Sequence, residues 1–64
     1  MSNRLDYLIA QAAHEAYACR ARAMLARAYD DAGGVAIYQS GEAAWTNWYQ
    51  KLNQMKIDGT NSSD

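Results

Sequence analysis

Residues 3–31 contain neither glycine nor proline, and that unbroken run constrains the fold more than any other feature of the chain. It is dense in Ala, Leu, Met and Arg, the strongest helix formers. The run predicts a first helix over about residues 3–31, spanning roughly 42 Å at 1.5 Å per residue. Asn3 fits its N-cap, with Asp6 placing a carboxylate near the positive end of the helix dipole. Gly33, followed by Gly34, fits the left-handed position after its C-terminus.

Leu5, Ile9, Ala12, Ala16, Cys19, Ala23 and Ala26 repeat with alternating spacings of four and three. They form a coiled-coil-like seam whose middle is built from small side chains. A flanking row, Ala13, Tyr17, Met24 and Ala28, widens that apolar face. The bulk the seam lacks is supplied further along. Trp45, Trp48, Tyr49, Leu52 and Met55 recur at i, i+3, i+4, i+7 and i+10, which gathers them on one helical face. Rings against alanines give the large-on-small packing of a dense core.

A second helix is therefore expected over about residues 35–56, the alternative being a start near Gly41 with Ser40 as its cap and residues 35–39 as an extended linker. It runs through Gly41 despite a cost of ~1 kcal/mol for a mid-helix glycine, because burying Ile37 and Tyr38 offsets that cost. Asp31–Gly34 becomes the turn of an αα-hairpin, and polar residues 58–64 are read as a disordered tail. The fold class is all-α. Leu5, Ile9, Ala12, Ala16, Cys19, Ala23, Trp45, Trp48 and Leu52 are the expected core and dimer residues.

A 64-residue chain makes one domain, and chains of this size usually need a staple or a second copy to share the core. One cysteine excludes an internal disulfide, and one histidine with one thiol cannot complete an ordinary zinc site. Oligomerisation remains, so a homodimeric four-helix bundle is expected. The formal charge of −1 weighs against non-specific nucleic-acid binding. The first residues, MSNRLDYLIAQ, carry no apolar run of signal-peptide type, and nothing approaches the ~20 apolar residues of a membrane span. With its lone thiol the chain reads as cytoplasmic and not membrane-bound.

Enzyme chemistry is not expected, nor is a cofactor or metal. His14 and Cys19 are five residues apart and point in well-separated directions on a helix. Cys19 falls in the alanine seam, where a thiol acts as a small hydrophobe. The pair of glycines lacks the strand and spacing of a phosphate loop.

The arginines say more. Arg20, Arg22 and Arg27 sit in RARAMLAR, which has no acidic residue. Arg20 and Arg27 project together beside the apolar stripe, where they can clamp an anion or a nucleic-acid backbone. The plainer interpretation is that they flank a helix seam. Asp30 and Asp31 lie at the unfavourable negative end of helix 1, where they can serve turn chemistry or face a basic partner. Tyr7 and Tyr29 fall nearer the polar side and are candidates for external contacts.

A helical hairpin of this size that pairs into a four-helix bundle resembles, in outline, the Rop family of plasmid copy-number regulators, which bind RNA. The resemblance covers size and expected architecture. It carries over no site residue, because none maps onto this sequence.

The function expected is therefore a small protein-binding regulator or inhibitor, of the sort phages and mobile elements encode. Its partner surface is Arg20, Arg27, Tyr29, Asp30 and Asp31. The alternatives are an anion, nucleotide or RNA binder using Arg20, Arg22 and Arg27, and a purely structural oligomerisation module.

Overall fold

A computed structural model describes residues 3–62, with side-chain burial described for residues 4–59. Two helices, α1 (Asn3–Ala28) and α2 (Ala32–Ser62), form an antiparallel hairpin. The Asn3 side chain, expected as the N-cap, lies outside the described side chains.

The seam of α1 packs as its spacing predicts. Ala12, Cys19, Ala23 and Ala26 are buried, and Leu5, Ile9 and Ala16 are half-buried. The facing stripe of α2 matches the one expected at Trp45, Tyr49 and Leu52 and departs from it at Trp48 and Met55. Its inward residues are Val35, Tyr38, Glu42, Trp45, Tyr49 and Leu52, spaced three and four apart. Leu52 is the most deeply enclosed, at 1% exposure. Half-buried Asn53 satisfies its amide on its own helix by donating to the Tyr49 carbonyl at 3.1 Å.

Trp48, expected among the core and dimer residues, is 38% exposed within the chain, and Met55 is exposed as well. Both lie on a flank of α2, in the row Gly34–Gly41–Trp48–Met55 with its seven-residue spacing. The glycines set this rotation. A Cβ at Gly41 would stand 3.1 Å from the Cys19 Sγ, and one at Gly34 would stand 3.3 Å from the Ala26 Cβ. At these two glycines the backbone of α2 comes close to Ala26 and Cys19, and the register they mark levels Ala12 with Trp48. At the open end Lys56 Nζ lies 2.7 Å from Asp6 Oδ1.

The turn is also displaced from its expected position. α1 ends at Ala28, and the connection is Tyr29–Asp31. Asp30, not Gly33, takes the left-handed conformation, with φ 58°. The Asp31 N–H donates to the Ala26 carbonyl at 2.8 Å and the Asp30 N–H to the Arg27 carbonyl at 3.1 Å. This pattern closes the C-terminus of α1 as a Schellman motif. Asp31 then caps α2, its Oδ1 accepting from the Gly34 N–H at 3.0 Å. Both glycines belong to the first turn of α2. A Cβ at Gly34 would meet the Asp31 carboxylate, so any side chain there would make the cap shift.

α2 also continues past Asp58, where a tail was expected, as far as Ser62. A Gln54 Nε2–Asp58 Oδ1 hydrogen bond of 3.0 Å supports that extension on the helix surface. Residues 63 and 64 lie outside the described residues.

Candidate functional site

A two-helix layer has two broad faces, and the expected site residues divide between them. On one face, Arg20 and Arg27 line a groove of about 320 Å³ with Ala23, Met24, Gln39 and Glu42. On the other, Arg22 lines a groove of about 340 Å³ with Leu25, Ala26, Tyr29, Asp31 and Tyr38. Two residues along a helix turn a side chain by roughly 200°, so the three arginines do not converge. The Arg20–Arg27 groove holds a carboxylate of its own, Glu42. Among the described residues none of these three groups makes an ion pair within the chain.

The proposed partner residues are likewise separated. Arg27, Asp30 and Asp31 border a hollow of about 310 Å³ at the turn with Ala32 and Val35. Tyr29 sits on the Arg22 side, and Arg20 lies a turn or more down α1. The two aspartates have different local roles. Asp31 is engaged as the cap of α2, while Asp30 is exposed and holds the turn's left-handed backbone position. No protein-family model matches the sequence, and neither a curated protein nor a solved structure matches it.

Apolar side chains outside the seam are the more informative feature. Ile37 is 69% exposed and, with Trp48 and Met55, forms a row along the α2 flank beside the Arg22 groove. The sequence placed Trp48 among the core and dimer residues and Met55 on the same helical face, without resolving that both lie on a flank with Ile37; the seven-residue repeat of Gly34 and Gly41 was the available signal. On the opposite face Tyr17 and Met24 are 73% and 65% exposed. They border a hollow with Arg20 and Ala21. The row Ala13, Tyr17, Met24 and Ala28 thus does not widen the intramolecular seam, because all four residues are exposed. Tyr7 and Tyr29 point to solvent.

His14 is exposed and Cys19 buried, on different sides of α1. Among the described residues no three His, Cys, Asp or Glu side chains are grouped so as to hold a metal ion. Nor is any helix among them long and apolar enough to cross a membrane.

Proposed function

We propose that the protein is a non-enzymatic helical hairpin that regulates or inhibits another protein by binding it, and that it does so as a homodimer. The supporting observation is that large apolar side chains stay exposed in rows on both faces, Ile37, Trp48 and Met55 on one and Tyr17 and Met24 on the other. Large side chains gathered in rows mark interaction surfaces, whereas scattered ones do not.

The partner face is the α2 flank carrying Ile37, Trp48 and Met55, continued by the groove at Tyr29 and Tyr38. Tryptophan and tyrosine are the residues most enriched at binding hot spots. Arg22, on the rim of the groove, supplies directional hydrogen bonding. The cytoplasm, where a lone thiol stays reduced, is the compartment proposed.

Protein is favoured over a phosphate or RNA ligand because the arginine pair Arg20–Arg27 shares its groove with Glu42, leaving less net positive charge there. The experiment is affinity capture from a host lysate with the wild-type chain, Ile37→Lys and Trp48→Ala. The expected result is one or a few captured proteins lost with both variants. Capture unaffected by either substitution removes this face from the account, and no specific capture removes the protein-binding function.

A further inference from the structure

We infer that two copies of the chain pair through the outer face of α1, antiparallel, about a twofold axis passing close to Tyr17. The inference rests on the homodimer proposed above and specifies its face and register. The face is the row Ala10, Ala13, Tyr17, Ala21, Met24 and Ala28, all exposed. At 100° per residue its centre lies roughly 130° around α1 from the seam that packs on α2. A second helix can therefore occupy it without disturbing the hairpin.

Charge points to a second copy as occupant: Arg20 and Arg27 border this face toward the C-terminal end of α1 and Asp6 lies on it toward the N-terminal end, so the face is complementary to its own antiparallel copy.

Side-chain size and charge then select the register. With Tyr17 opposite its own copy, Met24 of each chain lies level with Ala10 of the other, and Ala21 with Ala13. Each bulky side chain meets a small one, as in the intramolecular seam, and the two Tyr17 rings meet at the centre, where an offset stack is favourable. Arg20 and Arg27 border this face in the C-terminal half of α1, whereas Arg22 lines the opposite one; Asp6 lies in the N-terminal half, with Arg4 on the far side of the helix. Antiparallel pairing brings Arg27 level with Asp6 of the other copy. Asp6 already binds Lys56, and a carboxylate accepts from more than one donor. Parallel pairing would instead set the two basic halves side by side and align the helix dipoles unfavourably.

The resulting dimer orders its helices α2–α1–α1–α2, with the α1 helices central. This is an open layer rather than a closed bundle, and it leaves the Ile37 and Trp48 flanks uncovered.

Sedimentation equilibrium of the full chain at ~100 µM, where a micromolar dimer is almost fully formed, tests the pairing. Wild type is expected to be a dimer. Tyr17→Lys and Met24→Lys should each weaken it at least tenfold with helical circular dichroism retained, while Asn47→Lys, on the outer edge of α2, leaves it unchanged. A short bismaleimide tests the register in a Cys19→Ala background. Tyr17→Cys should cross-link to its own copy, and Met24→Cys should not. A monomeric wild type overturns both the homodimer and this pairing. A dimer insensitive to Tyr17→Lys and Met24→Lys overturns the α1 face alone, and equal cross-linking at both positions overturns the antiparallel register.

Discussion

Gly41 brings the backbone of α2 against the side chain of Cys19, leaving only 3.1 Å between the Sγ and the point a Cβ would occupy. A helix-interior glycine ordinarily costs ~1 kcal/mol relative to alanine, and here the contact opposes recovering that energy. Gly41→Ala should therefore stabilise the chain by clearly less than that amount, or destabilise it. In a Cys19→Ala background the added methyl fills space the sulfur vacated, and the gain should approach ~1 kcal/mol. Urea denaturation of the four chains of this double-mutant cycle measures the coupling. Strict additivity would mean the two helices are not in register at this point.

The turn offers a stabilising substitution. Asp30 holds a left-handed backbone, φ 58°, at the position where most Schellman motifs use glycine. Its charge also lies at the negative end of the α1 dipole. Asp30→Gly relieves both and should add about 1 kcal/mol. For a domain this small that is a rise in Tm of roughly 4–8 °C, readable by circular dichroism. An unchanged or lower Tm would contradict the strain assigned to this residue.

The next residue should respond in the opposite direction. Asp31→Ala removes the cap on the Gly34 N–H and should cost about 1 kcal/mol. Gly34→Ala should also destabilise, against its helix propensity, because the new methyl displaces the Asp31 carboxylate and presses on Ala26. In the Asp31→Ala background the same glycine substitution should cost markedly less. Equal costs in the two backgrounds would show that the carboxylate does not occupy the space beside Gly34.

These positions also show what the sequence could and could not convey. The α1 seam was legible because its small apolar residues keep an unbroken four-three spacing, and the buried set Ala12, Cys19, Ala23 and Ala26 follows it. The inward stripe of α2 was legible at Trp45, Tyr49 and Leu52 but was drawn too wide on one flank, because hydropathy weights Trp48 and Met55 heavily and gives glycine no weight. Gly34 and Gly41 set the rotation through the side chains they lack. The turn was misplaced for a related reason. Paired glycines suggest left-handed backbone, but here Gly34 provides room for a cap while an aspartate bears the unusual φ. The arginine cluster looked like one face because it is compact in sequence, although a two-residue step crosses to the far side of a helix.

The last prediction separates side chains that hold the hairpin from those left for a partner. Leu52, at 1% exposure, is fully enclosed, whereas Trp48 retains 38% of its surface in solvent. Leu52→Ala should cost about 2–4 kcal/mol, a large share of the roughly 3–10 kcal/mol expected for a domain of this length. It should leave the chain substantially unfolded at moderate temperature. Trp48→Ala removes a larger side chain but creates no enclosed cavity, so its cost should be distinctly smaller. Thermal melts of both variants, at matched concentration so that self-association does not bias the comparison, give the ordering. If Trp48→Ala proved the more damaging, the indole would belong to the core after all, and the α2 flank would lose its principal anchor for another protein.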